Sequence, residues 1–284
     1  MQFIVGSASF ELGQPPGEDD VNPVIDTIQQ RKSVRAYEDR PIPEDVRQAI
    51  LKAAMRAPTA GNMMLYTIIE VTEKATKEIL VETCDNQPFI ATAPWVLLFL
   101  ADYQRWYDYF GISKVETYCQ EQGTKMLKPE EGDLLLACCD ALIAAQTAVI
   151  AAESFGLGSC YIGDILENYE THQEMFSLPR YAVPIAMLCF GYPTQKQRAR
   201  EQTSRFDQEF VVHQDHYKRL GEEGFERMFA QRKAGLSESG SSSANIGLAL
   251  YKRKFSAAYA EEMRRSVSAI LHSWTAGASG HDAD

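Results

Sequence analysis

The feature that most constrains the fold of this 284-residue chain is an apolar segment over residues 134–152, which continues to Phe155. Apolar side chains follow one another almost without a break, so a helix formed here would be hydrophobic on nearly every side. The length approaches that of a membrane span, but Asp140, Gln146 and Glu153 interrupt the segment. The sequence therefore predicts a central helix, buried in the core of the fold or against another subunit.

Composition limits the kind of protein. With 45% hydrophobic residues, a chain of this length can bury a full core, as one large domain or two small ones. Lys and Arg number 28 against 39 Asp and Glu, and the net charge of −11 argues against broad binding to nucleic acid or to anionic membranes. We therefore expect a globular protein with neither nucleic acid nor a membrane as a partner.

Cysteine usage and the N-terminal residues bear on the compartment. The six cysteines, at positions 84, 119, 138, 139, 160 and 189, form no C-x-x-C pair and show no His/Cys spacing of a zinc site. Residues 1–20 lack a basic region followed by an apolar run, and the apolar residues 95–101 are too few to cross a bilayer. The sequence predicts a cytoplasmic protein with reduced thiols and no metal site.

Helix and strand signals alternate through the first two thirds of the chain. A helix over residues 44–56 is stopped by Pro58, and another is expected around residues 75–83. Short β-branched and aromatic runs predict buried strands at residues 67–72, 95–101 and 183–190. The pattern indicates a sheet packed against helices.

The last third is more polar. Helices are expected at residues 215–234 and 246–273, separated by a Ser/Gly-rich linker at residues 235–243, and residues 276–284 are expected to form a loose tail. The second helix places an apolar stripe along one face: Tyr251, Phe255, Tyr259, Met263 and Ile270. Such a stripe covers the core or clasps a partner subunit, and core packing is the default expectation.

A basic cluster at residues 31–35 stands out in this acidic chain: Arg31, Lys32, Ser33 and Arg35. It follows an amphipathic helix that begins at Asn22-Pro23 and carries Val24, Ile25 and Ile28 on one face. Arginine forks, a lysine charge and a serine hydroxyl together suit phosphate oxygens. A solvated helix C-terminus would have the same composition, so the cluster alone leaves both interpretations open.

Three further motifs follow in order. Residues 57–62 read Ala-Pro-Thr-Ala-Gly-Asn after a helix, and residues 156–163 read Gly-Leu-Gly-Ser-Cys-Tyr-Ile-Gly. Gly-Tyr-Pro at residues 191–193 precedes the basic residues Lys196, Arg198, Arg200 and Arg205. Singly, a capping turn or a helix stop explains the first two of these equally well. Together with residues 31–35, the motifs resemble the nitroreductase family of flavoproteins, over about residues 23–213.

This resemblance implies an α+β fold with a central, mainly antiparallel sheet flanked by helices, and a homodimer with FMN at its interface. It divides the chain into an N-terminal arm at residues 1–22, an FMN-binding domain at residues 23–213 and a helical extension with a flexible tail at residues 214–284. The reaction implied is transfer of a hydride from NADH or NADPH through flavin N5 to an electron-poor acceptor, such as a nitroaromatic, a quinone or another flavin.

The resemblance also implies the site residues. The phosphate and ribityl chain would be held by Arg31, Lys32, Ser33 and Arg35, and closed off by Arg205, with Arg198 and Arg200 as rivals. The ring would meet Pro58, Thr59, Ala60, Gly61 and Asn62, and on its other side Tyr161, Ile162 and Gly163. The Asn62 amide suits the pyrimidine edge, and the backbone of Ile162 and Gly163 would point at N5 and O4. Catalytic side chains stay unassigned, and few acid-base groups are expected, because the cofactor carries the hydride.

Two features depart from the family pattern or vary within it. Met64-Leu65-Tyr66 stands where many relatives have Gln-Pro-Trp, which predicts a less polar slot. The predicted loop at residues 102–132 is rich in aromatic side chains that would stack on a planar acceptor or form a packed lid: Tyr103, Trp106, Tyr107, Tyr109, Phe110 and Tyr118. Two alternatives stay open: a divergent FMN enzyme, such as a reductive dehalogenase or a flavin-cleaving enzyme, and a non-enzymatic flavin-binding module.

Overall fold

Helices surround a small sheet in this protein. The structure is a computed structural model and describes residues 22–238 and 245–276. The first half contains α1 (Pro23–Gln30), α2 (Glu44–Ala54), β1 (Tyr66–Glu70), α3 (Lys74–Thr83), α4 (Phe89–Thr92), β2 (Trp95–Asp102), α5 (Gln104–Ile112) and α6 (Val115–Glu121). The second half contains α7 (Glu131–Ser154), β3 (Gly158–Ile162), α8 (Tyr169–Met175), β4 (Ala182–Gly191), α9 (Gln195–Ala199), α10 (Glu222–Glu238), α11 (Ile246–Leu250) and α12 (Ala258–Thr275).

Four antiparallel strands form the sheet, in the order β1-β2-β4-β3. Every residue of β2 is buried, because this strand has a neighbour on each side and side chains packed on both faces. The predicted α+β class with a mainly antiparallel sheet is confirmed. β3 had no strand signal in the sequence, where the glycines of the motif indicated only a turn, and its extended form comes from pairing with β4.

The helix predicted from the apolar segment is α7, and it has two different faces. Small residues pack against the sheet and α2 and are fully buried: Ala137, Ala141, Ala144, Ala145, Ala148 and Ala152. Large residues remain 40–68% exposed: Leu135, Leu136, Leu142 and Ile143. Alanines let the helix approach the strands closely. By length and composition alone, α7 is long and apolar enough to cross a membrane, as the core helix of a soluble protein also is.

The helix predicted at residues 22–31 is confirmed as α1. The Asn22 side chain accepts hydrogen bonds from the amides of Val24 (3.0 Å) and Ile25 (3.2 Å), which are the unsatisfied donors of the first turn. α1 buries none of its residues, and Val24, Ile25 and Ile28 are 46–57% exposed. The helix therefore presents an uncovered apolar face in the single chain.

The prediction of one helix over residues 246–273 is wrong. A π-helical turn (Tyr251–Phe255) follows α11, and Ala257 is extended, with φ −78° and ψ 153°, before α12 begins. The stripe is divided as a result: Tyr251 and Phe255 are 54% and 60% exposed, whereas Ile270 is buried. The interruption turns the first part of the stripe away from the core that the second part covers.

α12 packs against the main body of the fold. Its buried positions are Ala260, Ser266, Ile270 and Trp274. The Trp274 indole donates to the Glu130 carbonyl at the start of α7 (3.0 Å). The expected core packing is therefore confirmed for α12, the second part of the predicted helix.

Other boundaries shift as well. α10 begins at Glu222 rather than at residue 215, and it continues through residues 235–238, the start of the predicted linker. The predicted loop at residues 102–132 contains α5 and α6. Residues 1–21 of the predicted arm, residues 239–244 of the linker and residues 277–284 of the tail lie outside the described residues.

Candidate functional site

A cavity of about 520 Å³ opens between the end of α1 and the segment that follows α9. Its basic and hydroxyl lining comprises Arg31, Lys32, Ser33, Arg35, Arg200, Thr203 and Arg205. One carboxylate, that of Glu201, also lies on its wall. The basic cluster therefore lies on a concave surface with a strong excess of positive charge. This shape favours an anion-binding site over a solvated helix end, and we call this surface the cation cavity.

The cations of the cavity fasten its two walls together. The Lys32 ammonium donates to the carbonyls of Arg198 (2.6 Å) and Arg200 (2.5 Å). In the other direction, the Arg200 guanidinium donates to the Ser33 carbonyl. Arg198 pairs instead with Glu38 (2.5 Å) and does not line the cavity. Of the three arginines considered for the C-terminal wall, Arg198 is thus engaged elsewhere and Arg200 is partly engaged.

Three guanidinium groups are more available. Arg205 donates to the carbonyl and the hydroxyl of Thr203 (3.1 and 3.0 Å), both local contacts. The side chains of Arg31 and Arg35 take part in none of the hydrogen bonds or ion pairs found within residues 22–238 and 245–276, although the Arg31 carbonyl accepts from the Gln202 amide group (3.3 Å). These side chains keep donors for a ligand, and guanidinium forks match the oxygens of a phosphate.

The basic cluster lies directly on the edge strand β3. The Val34 amide donates to the Ser159 carbonyl (2.8 Å), and Ser33 and Ser159 form a parallel bridge. This approach requires a glycine at position 158, because a Cβ there would lie 2.4 Å from Val34 Cγ2. The backbone thereby joins the first motif to the third, although more than 120 residues separate them in sequence.

The fourth motif joins the same assembly. The Glu38 amide donates to the Tyr192 carbonyl (2.8 Å), and Tyr37 forms a bridge with Pro193. The Tyr37 hydroxyl donates to the carbonyls of Val34 (2.8 Å) and Cys189 (3.1 Å). The structure thus brings the first, third and fourth motifs into one unit.

β3 leads from its bridge with Ser33 to the third motif's last residues, at positions 161–163. Tyr161 is half-buried, Ile162 is fully buried and Gly163 is exposed. Burial raises the pKa of Tyr161 to about 12, and the nearby Arg31 charge opposes this rise. A Cβ at Gly163 would meet no atom within 4 Å, so there is open space above this backbone.

Glu153 is a candidate site residue that sequence reasoning did not identify. It lies in the last turn of α7, where burial raises its pKa to about 7 while the charges of Arg31 and Lys32 lower it. Its Oε1 atom is buried and has no hydrogen-bond partner among the described residues. An acidic residue that interrupts an apolar helix was the available signal. Only the fold shows that it lies close enough to Arg31 and Lys32 for their charges to act on it.

The second motif occupies a different place within the chain. None of residues 57–62 lines the cation cavity, and no hydrogen bond among the described residues joins them to residues 31–35. Gly61 and Asn62 are exposed, and their φ angles are 55° and 58°. The turn is held by the carboxylate of Asp140 on α7, another residue that the sequence did not single out as functional. Pro58 is exposed, and Thr59 and Ala60 are half-buried.

The aromatic residues after β2 divide between two roles. Tyr103, Tyr107 and Phe110 line a second cavity of about 310 Å³. Trp106 instead donates to the Met63 carbonyl (2.7 Å) and so braces the chain next to the second motif. Tyr109 and Tyr118 are mostly exposed. Packing and an open aromatic surface therefore coexist here.

The residues present fit FMN in their donor chemistry. The cation cavity suits a phosphate, while a hydroxyl at Ser33 and the open backbone at Gly163 suit a ribityl chain and a flat ring. Buried Glu153 Oε1 leaves an acceptor near these groups. No group of three or more His, Cys, Asp or Glu side chains in the described ranges is placed to hold a metal ion.

Comparison with known proteins agrees with this fit. The family model described as "Nitroreductase family" matches residues 28–192. The oxygen-insensitive NADPH nitroreductase of Salmonella typhimurium is 30% identical over 71% of this chain and 78% of its own length. An FMN reductase [NAD(P)H] of Bacillus subtilis is 32% identical over 69% of this chain and 75% of its own length.

Among solved structures, a hypothetical oxidoreductase from Bacillus subtilis, YcnD, is 28% identical and superposes with a TM-score of 0.72, covering 88% of this chain and 98% of that one. Fold, motif order and sequence similarity lead to the same assignment: the chain belongs to the nitroreductase family.

Proposed function

We propose that this protein is an FMN-dependent oxidoreductase that passes a hydride from NADH or NADPH through flavin N5 to an electron-poor acceptor, such as a nitroaromatic, a quinone or another flavin. The observation that carries the proposal is the joining of the cation cavity to β3, through the hydrogen bond from Val34 to Ser159 (2.8 Å). One ligand with an anionic end and a flat end would find cations and strand backbone on the same unit. The relatives named NADPH nitroreductase and FMN reductase support the donor and the cofactor.

The phosphate would be bound mainly by Arg31, Arg35 and Arg205, because their guanidinium groups line the cavity with donors to spare. Lys32 has two of its three donors on main-chain carbonyls, so it chiefly holds the C-terminal wall and keeps one donor for the ligand. The Ser33 hydroxyl would bind a ribityl or phosphate oxygen.

Bound FMN would supply the hydride chemistry, accepting two electrons from the nicotinamide and passing them on. The protein would orient the ring with the main chain of Ile162 and Gly163, whose amides would hold negative charge on the reduced flavin. Buried Ile162 would exclude water from that side. Asn62 would donate and accept at the pyrimidine edge, which fixes the orientation of the ring.

The two parts of the site would meet in a homodimer. Within one chain the turn at residues 59–62 is not joined to the cation cavity, and Gly61 and Asn62 are exposed. The large residues on the outer face of α7 and the apolar face of α1 are also uncovered, which is the pattern of an obligate interface. We place this dimer in the cytoplasm, with FMN between the turn of one protomer and the cavity of its partner.

The function is tested first by the absorption spectrum of the purified protein. We expect a yellow protein whose flavin band bleaches anaerobically when NADH or NADPH is added and returns when a quinone or nitroaromatic is supplied. Lack of reduction by either nucleotide would contradict the proposal. Bleaching without return would favour a flavin-binding module, and product analysis with and without oxygen separates dehalogenation and flavin cleavage from simple reduction.

The dimer is tested by sedimentation of the flavin-loaded protein. We expect twice the chain mass of 31.8 kDa. A monomer that still retains FMN and turns over would show that one chain completes the site.

A further inference from the structure

Asp140 is a buried charge in the middle of an otherwise apolar helix. It lies on α7 and is 3% exposed. None of the ion pairs found among the described residues includes it. A buried carboxylate without a cation is unfavourable unless several hydrogen-bond donors converge on it. Its presence at this position therefore calls for a structural reason.

Both oxygens of Asp140 are used by a single turn of the chain. Oδ1 accepts from the Ala60 amide (3.1 Å), and Oδ2 accepts from the Leu65 amide (3.1 Å). Oδ2 also accepts from the Thr59 hydroxyl. That hydroxyl oxygen in turn accepts from the Met64 amide (2.8 Å). The carboxylate thus closes both ends of the turn at once.

The turn between these anchors has an unusual backbone. Gly61, Asn62 and Met64 all adopt left-handed conformations, with φ of 55°, 58° and 51°. Residues other than glycine resist this region, so such a turn persists only where its surroundings specify it. The contacts of Asp140 at residues 59–60 and 64–65 hold both ends of this turn, and hydrogen bonds from Trp106 to the Met63 carbonyl and from Arg105 to the Met64 carbonyl add to them.

The charge of Asp140 matters as well as its size. An ionised carboxylate only accepts hydrogen bonds, and every group that faces its oxygens here is a donor: two amides and a hydroxyl. An asparagine would place an NH₂ group against at least one of these donors. Shape alone would therefore not preserve the turn.

We infer that Asp140 is the positioning residue of the flavin ring: it never touches the cofactor, but it sets the turn that presents Gly61 and Asn62 to the ring. This inference rests on the proposed function. Gly61 and Asn62 form the exposed apex of the turn, whereas its base is tied to the central helix. The position of the ring-binding side chain is thereby locked to the helix that also carries the exposed apolar face.

The experiment compares Asp140→Asn with wild type in the full-length protein. We expect the dissociation constants of FMN and of riboflavin, measured by flavin fluorescence on the apoprotein, to rise together by tenfold or more. The visible circular dichroism of the bound flavin should also change. Competition by inorganic phosphate, which reports on the cation cavity, should stay within twofold of wild type.

The matched control is Asp133→Asn on the same helix. Asp133 closes the capping box of α7 by accepting from the Glu130 amide (2.9 Å), so its loss lowers stability without reaching the turn. We expect a lower melting temperature and unchanged flavin binding. An Asp140→Asn protein with wild-type affinities for both flavins and the wild-type dichroism would overturn the inference.

Thr59→Val provides the second test, which decides the question if Asp140→Asn does not fold. It removes the hydroxyl that links Asp140 to the Met64 amide, and it should shift both flavin affinities in the same direction as Asp140→Asn. Unchanged affinities in a folded Thr59→Val protein would count against the inference. Amide hydrogen exchange at Ala60, Met64 and Leu65 adds a readout without flavin. Faster exchange in Asp140→Asn would confirm that Asp140 anchors the turn, whether or not the protein binds FMN. Absence of FMN binding by wild type would contradict the proposed function alone.

Discussion

The cation cavity and the turn at residues 59–64 are both parts of the candidate site, and they are built on different principles. The cavity gathers guanidinium groups on exposed or half-buried positions, and most of its internal hydrogen bonds end on main-chain carbonyls. The turn has no charged side chain of its own. Both of its ends are held by one buried carboxylate, 75 to 81 residues away in sequence.

The difference follows from what each part has to recognise. A phosphate is a compact anion, so several flexible cations can share it, and the loss of one leaves the others in place. A flavin ring edge is a fixed pattern of donors and acceptors, which requires a backbone held in one conformation. We therefore expect the cavity to respond to changes in charge and the turn to respond to changes in geometry.

The largest effect is expected at Gly158, where the position of the basic cluster depends on the close approach of Val34 to β3. Gly158→Ala places a Cβ 2.4 Å from Val34 Cγ2 and 2.8 Å from Val34 Cβ, and both atoms belong to a segment held by backbone hydrogen bonds. We expect a loss of about 2–3 kcal/mol in the free energy of unfolding, as overpacking commonly costs. FMN binding should weaken as well, because the basic cluster is displaced from β3.

Chemical denaturation measures this loss, with Gly132→Ala as the control. A Cβ at Gly132 meets nothing within 4 Å, and alanine favours the helix, so stability should hold or rise. Equal stability in the two variants would show that residues 33–34 can move to make room for the new Cβ at little cost. The cavity would then be less firmly attached to β3 than the contacts indicate.

Arg31→Ala should have the next largest effect. Loss of one charge-assisted contact is expected to weaken FMN binding by about 1.5–3 kcal/mol, or roughly 10- to 160-fold. Stability should change little, because the Arg31 side chain makes no hydrogen bond or ion pair in the described part of the chain. Riboflavin, which lacks the phosphate, should bind the variant and wild type almost equally.

Lys196→Ala, which removes an exposed cation outside the cavity lining, is the control for net charge. If Arg31→Ala keeps wild-type FMN affinity, the phosphate lies elsewhere. If it weakens the binding of riboflavin as strongly as that of FMN, Arg31 acts on the ring, and the contrast between the cation cavity and the turn is wrong.

The smallest effect concerns pH and Glu153. Burial raises the pKa of this carboxyl to about 7, against the opposing charges of Arg31 and Lys32. Below pH 7 it is mostly neutral, and above pH 7 it adds a negative charge close to Arg31 and Lys32. A bound anion raises the pKa further, so binding takes up a proton and the affinity for FMN should fall as the pH rises from 6 to 8.

Glu153→Gln removes this titration while keeping the shape of the side chain. The ratio of the wild-type to the variant dissociation constant should increase by about two- to fivefold across that range, the size of a screened charge interaction. Taking the ratio cancels the titration of the FMN phosphate itself. A constant ratio would show that Glu153 does not sense the cavity.

Much of the fold could be anticipated because its signals are local. The helix at α1 has its cap and proline, α2 has its apolar period, and β2 and β4 are short runs of apolar residues, so each element was placed within a few residues. The prediction of one helix that carries the stripe from Tyr251 to Ile270 was wrong for the opposite reason. Its helical spacing is real, but the interruption at Ala257 decides which half meets the core.

The candidate site shows the same division. The residues of the basic cluster and of the glycine motif could be named because arginine forks and small residues in a family order are visible in the sequence. No local signal indicates that Lys32 donates to two main-chain carbonyls or that Arg198 pairs with Glu38. Each depends on which segments the fold brings side by side.

The sequence by itself determined the apolar central helix, because a run of apolar residues is a local signal. It also determined the membership in a flavoprotein family, because each of the four motifs is a short run of residues, and the resemblance that they carry implied the α+β class. Only the tertiary structure decided that β3 is a strand, that Gly158 admits Val34, that Asp140 accepts hydrogen bonds from the turn at residues 59–65, and that Glu153 lies near the charges of Arg31 and Lys32. An acidic residue within an apolar segment can be noticed in a sequence. Its partners are distant in the chain and become neighbours only when the core closes.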